Sequence, residues 1–266
     1  MEKKSRREFL RESAAAALGL GAALPMVTSA CSGAEAQGQV GAATGSQWGM
    51  IIDMEKAKDP AVREACTEAC RREHNIPRID DPKERIRWIW EEEYQHVFPD
   101  QVHDHMPEAV KTEPVIVLCN HCTNPPCVRV CPTQATWKRE SDGIVMMDMH
   151  RCIGCRYCMA ACPYGSRSFN WRDPRPFVDT DYEGNFLSEY PTRTRGVVEK
   201  CNFCAERIRE GLDPACVEAA NQVAEGAMIF GDVTDPNSEI SRVLQSQATM
   251  SRRVSLGTGP NVFYLV

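Results

Sequence analysis

Cysteine spacing constrains this 266-residue chain more than any other feature. Of its fourteen cysteines, eight fall between positions 119 and 162 in two consecutive runs. The first is Cys119-x2-Cys122-x4-Cys127-x3-Cys131-Pro132; the second is Cys152-x2-Cys155-x2-Cys158-x3-Cys162-Pro163. In the second spacing three close thiolates hold one [4Fe–4S] cubane, and the fourth, ahead of Pro, reaches to a neighbouring cubane. Two such runs facing each other make a two-cluster unit with crossed fourth ligands. Paired C-x2-C also builds zinc sites, but a third cysteine at x2 followed by Cys-Pro favours the cubane. Disulfides are disfavoured, because two cysteines in one tight loop converge on a metal more readily than they meet disulfide geometry.

The outer cysteines follow the same logic with one set incomplete. Cys201-x2-Cys204-x11-Cys216 supplies three thiolates, but the expected fourth position is Ala220, followed by Asn221 rather than Pro. At the front, Trp48 to Met54 is apolar and β-prone, and reads as a strand. Asp59-Pro60 reads as an N-cap and first helical residue, opening a helix over 60–73 with Cys66 and Cys70 at i and i+4. Crossed ligation then predicts three clusters rather than four. The sets are Cys119, Cys122, Cys127 and Cys162 (set A); Cys152, Cys155, Cys158 and Cys131 (set B); and Cys201, Cys204, Cys216 and Cys70 (set C). The missing residues all fall on one site, where Cys66 alone remains and reads as a small buried apolar residue.

The order of four cysteine motifs and the C-x2-C-x11-C element resemble the ferredoxin-type electron-transfer subunits of membrane oxidoreductases, the DmsB/NrfC/PsrB-like proteins. The resemblance covers residues 48–250. More narrowly, the runs from Cys119 to Pro132, Met149 to Cys155, Asn170 to Pro176 and Gly196 to Cys204 resemble DsrO of the DsrMKJOP sulfur-metabolism complex. The resemblance implies an α+β fold of tandem, nested ferredoxin-like [4Fe–4S] domains with inserted helix and hairpin segments and a C-terminal extension. It also implies electron relay between an NrfD-like, quinone-interacting membrane subunit and a cytochrome c or other redox subunit, in sulfite or sulfate metabolism. An electron subunit of a molybdopterin reductase acting on polysulfide, tetrathionate or nitrite is the alternative, and a zinc-bound structural module a more distant one. The family pattern has four clusters, from which the lost site departs. No nucleophile–base pair or nucleotide loop is visible, so no substrate-converting site is expected.

The N-terminus reads as an address. Ser5-Arg6-Arg7-Glu8-Phe9-Leu10 is a twin-arginine motif, and the apolar stretch from Ala14 to Val27 is too short to span a bilayer. Residues 1–36 are therefore expected to be a Tat signal peptide that exports the folded protein to the periplasm, where partner subunits hold it at the membrane. Cys31 is a candidate for lipidation. Formal charge is −6 without a basic block, which argues against nucleic acid.

The remaining boundaries follow the cysteines. Residues 37–47 form a linker; 48–76 with 197–250 form the outer one-cluster unit, and 113–170 the central two-cluster unit. Residues 77–112 are expected to be an inserted helical segment, with a helix over 82–95 presenting Ile86, Ile89 and Trp90 on one face and Trp88 off it. Residues 171–196 read as a hairpin-like excursion. A helix is expected near 237–246, and 251–266 as a tail packed on its own domain rather than on a partner's sheet. His103 and His105 read as a solvated loop. His121 lies inside a cysteine loop and is expected to hydrogen-bond near a cluster rather than to ligate iron.

Overall fold

The computed structural model describes residues 45–266. The leader over 1–36, Cys31 and most of the linker lie outside the described residues. No helix among the described residues is long and apolar enough to cross a membrane.

Trp48–Asp53 forms β1, with Met50, Ile51 and Ile52 all buried. Consecutive buried side chains mark a strand covered on both faces. Later strands are β2 (Ile89–Glu93), β3 (Pro114–Leu118), β4 (Thr136–Lys138) and β5 (Val145–Met147). They continue as β6 (Ser168–Phe169), β7 (Val198–Glu199), β8 (Met228–Asp232), β9 (Thr249–Met250) and β10 (Val262–Leu265). One four-stranded sheet has the order β8-β1-β10-β9, and the other six strands form three separate two-stranded pairs. With helices between these strands, the fold is α+β.

The segment set apart as a C-terminal tail is integral to that sheet. β10 runs parallel to β1, pairing Met50 with Val262 and Asp53 with Leu265. Tyr264 and Val262 are fully buried. The pairing joins positions more than two hundred residues apart, which no local pattern specifies.

The Pro60–Glu73 helix begins as its sequence dictates. Asp59 accepts from the Ala61 N–H at 2.9 Å, and Pro60 occupies the first position, where a missing N–H costs nothing. It packs on the Ala215–Val223 helix, bringing the front and rear cysteine motifs together. Between these helices and the sheet, Met50, Ile52, Val62, Cys66, Val217, Ala220, Met228 and Tyr264 form one apolar core.

The expected helix over 82–95 is not formed. A turn capped by Asp81 precedes Arg85, and Ile89–Glu93 is a strand paired antiparallel with β3, Ile89 opposite Leu118. Ile86 and Ile89 are buried. The strand also buries Trp88, whose indole N–H donates to Glu199 at 2.8 Å. Tertiary pairing with β3 overrides the helical spacing. The rest of 77–112 is likewise not one helical insertion but short turns, including Tyr94–Val97 and Glu108–Lys111. The 171–196 excursion reduces to one bridge, Thr180 to Phe186, around an Asp181–Gly184 turn, and β6–β7 pairing closes its base.

Candidate iron–sulfur centres

The thirteen described cysteines are all free thiols. Their placement follows local geometry. Cys119 comes just after β3; Cys122 and Cys127 occupy the loop and short Pro126–Arg129 helix that follow; Cys162 comes just after the Tyr157–Ala161 helix. Burial pushes Cys122 up to about 12, and the thiolates of Cys119, Cys127 and Cys162 push the same way. Burial raises Cys162 too, again with Cys119 and Cys127 beside it. Buried thiols whose thiolate forms would repel one another are the donor set a multi-iron cation relieves. A cavity here is lined by all four, with Asn120 and Arg167. Both polar atoms of the Asn120 side chain and His121 Nε2 lack a partner in the protein. A [4Fe–4S] cluster fits this donor set and the unsatisfied groups beside it.

Cys70, Cys201, Cys204 and Cys216 also meet. Cys70 lies in the last turn of Pro60–Glu73, Cys201 and Cys204 follow β7, and Cys216 lies in Ala215–Val223. Burial raises Cys70 well above the ordinary thiol value, and Cys201, Cys204 and Cys216 add to it. All four are buried. Cys152, Cys155, Cys158 and Cys131 are the more open set: Cys158 is buried, Cys131 and Cys152 are half-buried, and Cys155 is exposed. The Pro126–Arg129 and Tyr157–Ala161 helices pack together and bring Cys131 toward this loop. Gly154 in this loop has φ +70°, and a Cβ there would meet the Gly196 carbonyl at 2.3 Å, so only glycine fits.

The third residue of each matching C-N-x-C loop joins two sets. His121 and Phe203 both adopt positive φ, 41° and 58°, and their rings stack at 3.7 Å. His121 accepts from the Val145 N–H at 3.1 Å. Burial pulls its pKa well down, as do the Lys200 and Arg167 charges nearby, so the ring is neutral near pH 7. Its hydrogen bond therefore goes to β5 rather than outward. His103 and His105 stay in an exposed loop.

Cys66 lies beside Cys216, whose pKa it helps to raise. It is fully buried, its Sγ 3.5 Å from Met228 Sδ and from the Cys216 carbonyl oxygen. Burial pushes it up to about 12, so it stays a neutral thiol.

The 4Fe-4S dicluster domain family matches residues 111–175, which hold all eight central cysteines. The Hdr-like menaquinol oxidoreductase iron-sulfur subunit 1 of Archaeoglobus fulgidus is 41% identical, covering 98% of this chain and 97% of the relative. A dimethyl sulfoxide reductase iron-sulfur subunit of Halobacterium salinarum is 37% identical over 83% of this chain and 79% of its own. The menaquinone reductase iron-sulfur cluster-binding subunit of Nitratidesulfovibrio vulgaris is 36% identical over 82% of this chain and 88% of its own. The chain belongs to this family of iron–sulfur subunits. Membership and the dicluster match together identify it as a [4Fe–4S] protein.

Several residues around the centres carry no spacing signal. The C-terminal segment clasps the set A loop: Thr123 N–H donates to the Gly259 carbonyl at 2.7 Å, and Asn261 Nδ2 to the His121 carbonyl at 2.8 Å. Arg193 and Glu199 form a buried ion pair, with side chains 1% and 0% exposed. Arg167 and Lys200 are buried without a carboxylate partner among the described residues. A buried cation in the sequence gives no hint of which anion it serves.

Proposed function

We propose that this protein relays electrons through three [4Fe–4S] clusters, held by sets A, B and C. It would do so between an NrfD-like quinone-interacting membrane subunit and another redox subunit, a cytochrome c or an oxidoreductase. The observation that carries this reading is the continuity of the twelve thiols. Cys119 of set A acts on Cys201 of set C, while Arg167 faces both Cys127 of set A and Cys158 of set B. The protein's part is to space the clusters, exclude water and supply hydrogen bonds to sulfur, such as Phe203 N–H to Cys201 at 3.4 Å.

The apolar core around Cys66 and Ala220 supports three clusters rather than four, since side chains fill the place of the missing ligands. The helix pair joining both ends of the chain around the central cysteines supports a nested arrangement of two ferredoxin-like units. Names of the menaquinol and menaquinone relatives support a quinone-linked complex. Polysulfide and tetrathionate reductase subunits are also relatives, at 36% and 45% identity over shorter spans. They support sulfur chemistry and equally the molybdopterin-reductase alternative. The twin-arginine leader supports a periplasmic location.

Electrons would enter or leave at set B. Cys155 is exposed, and Ile153, Tyr157 and Trp171 near it are 66%, 63% and 43% exposed. Anaerobically purified protein should contain about twelve iron atoms per chain and absorb near 400 nm, bleaching with dithionite, as expected for this cluster type. About sixteen irons would reject the lost site, and a colourless zinc protein would reject the reading.

A further inference from the structure

Two cations are buried among the cysteines without any carboxylate partner among the described residues. Arg167 is 5% exposed; its Nη2 donates to Cys127 Sγ at 3.0 Å and to Thr136 Oγ1 at 2.8 Å. Thiolates of Cys127, Cys158 and Cys119 surround it, so it stands between sets A and B. Lys200 is 1% exposed; its Nζ donates to the Cys201 carbonyl at 2.6 Å and to the Val145 carbonyl. Burial lowers its pKa, but the thiolates of Cys119, Cys201 and Cys127 face it and favour its charged form, so it stands between sets A and C.

An unpaired buried charge is too costly to persist without a counter-charge. No carboxylate among the described residues pairs with either, and cysteine thiolates are the anions that act on both. Set A borders both cations, and Lys138 lies beside its Cys122 as well. Set B borders Arg167; its other neighbouring cations, Arg151 beside Cys152 and Arg156 beside Cys155, are exposed and screened by solvent. Set C borders Lys200, but also the carboxylates of Glu206 and Glu73 beside Cys204. Its other cation, Arg193, is already bound to Glu199 at 2.7 Å.

We propose that Arg167 and Lys200 are potential-setting residues, and that together they make set A the highest-potential cluster of the chain. This rests on the electron-relay reading. A cubane bound by four thiolates is anionic, and reduction adds one more negative charge. A neighbouring fixed cation therefore stabilises the reduced form more than the oxidised one. The middle of the relay becomes its electron well, and both ends lie uphill of it.

The test is a dye-mediated redox titration of anaerobic holo-protein, followed by electron paramagnetic resonance, on wild type, Arg167→Met and Lys200→Met. The highest couple should fall in both variants, by about tenfold or more in its reduction equilibrium constant, about 59 mV for one electron. A second couple should fall only in Arg167→Met, and a third only in Lys200→Met. This crossed pattern needs no prior assignment of signals, and a general loosening of the fold would not produce it. Arg167→Lys and Lys200→Arg should keep wild-type iron content and stay within about threefold of the wild-type equilibrium constants, a margin well under one charge-assisted bond. The proposal is overturned if the highest couple moves by less than that in either Met variant. It is equally overturned if the charge-keeping variants move it as far. Should a Met variant emerge iron-poor, the charge-keeping pair decides: wild-type iron and potentials there sustain the proposal, and iron loss there defeats it. Wild-type protein without reducible iron would instead sink the relay reading itself.

Discussion

The Arg193–Glu199 pair offers the sharpest test of how this fold holds set C. Glu199 accepts from Arg193 Nε at 2.7 Å, from Trp88 Nε1 at 2.8 Å and from Asn170 Nδ2 at 2.5 Å. Arg193 Nη1 donates to the Asn75 carbonyl at 2.9 Å and also to the His74 carbonyl. The pair thus ties the end of the helix that carries Cys70 to the strand that leads into Cys201. Arg193→Met leaves a buried carboxylate with two neutral donors, and Glu199→Gln leaves a buried guanidinium facing carbonyls. Each should cost about 3–5 kcal/mol, the usual range for breaking a buried pair. The double variant buries no charge, and Gln still accepts from Trp88. Its cost reduces to the two orphaned carbonyls, about 1–3 kcal/mol each, well below the sum of the singles. Because cluster loss makes unfolding irreversible, the assay is the rate at which visible absorbance bleaches at fixed guanidinium, without oxygen. A loss of about 3 kcal/mol expressed in the barrier speeds bleaching by roughly two orders of magnitude. Either single variant bleaching within about threefold of wild type, or a double variant as fast as the product of both singles, would refute the clamp.

Three further outcomes are expected. Cys70→Ala should lower iron from about twelve to about eight per chain, whereas Cys66→Ala should keep all of it and lose only packing, about 1–2 kcal/mol; equal iron loss in both would show that Cys66 is a ligand. Ile153→Glu and Tyr157→Glu, beside exposed Cys155, should slow electron exchange with a redox partner by about tenfold at unchanged iron content, as replacing one apolar side chain at a docking face does. A rate unaffected by either would place the docking face elsewhere. The Arg71 hydrogen bond holds the Glu68 carboxyl below its ordinary 4.5; at Asp179, burial opposes the effect but Arg71 and Arg78 still hold the carboxyl below its ordinary 3.8. Depressed carboxyls stabilise fully above those ordinary values and lose the effect as pH falls through the lower folded ones. The contribution is small, because Glu68, Asp179 and Arg78 are more than a third exposed. Protection over 178–186, the exchange rate corrected for its intrinsic pH dependence, should therefore fall only below about pH 4; a fall between pH 5 and 7 would contradict this.

Much of the molecule is legible in the sequence where a signal is local. Asp59-Pro60 marks the helix start, the apolar run at Trp48 marks β1, and Glu239–Ser246 forms the helix expected near 237–246. What stays hidden depends on distant partners. Ile86, Ile89 and Trp90 suit a helical face, yet Trp88-Ile89-Trp90 is equally a β-prone run, and only β3 decides between them. The place of β10 beside β1 likewise needs both chain ends in view. Arg167 and Lys200 sit in unremarkable sequence, because the anions that explain them are cysteine sulfurs brought close only by the fold.

The fourth site that the proposal leaves without a cluster shows why these two kinds of information must be joined. Spacing alone says that ligands are missing, which is equally consistent with a hollow loop. In the structure Val62, Cys66, Ala220 and Met228 are each 0% or 1% exposed and lie in one core with β1. On the three-cluster proposal, this packing substitutes dispersion and apolar burial, about 1.5–3 kcal/mol for each large residue, for metal ligation. It also seals set C inside the protein, with all four of its thiols buried, while set B keeps an open edge. Reinstating Cys at position 220 alone would therefore not restore a cluster. The two other thiolates are absent from the front motif, and the space they would serve is already packed.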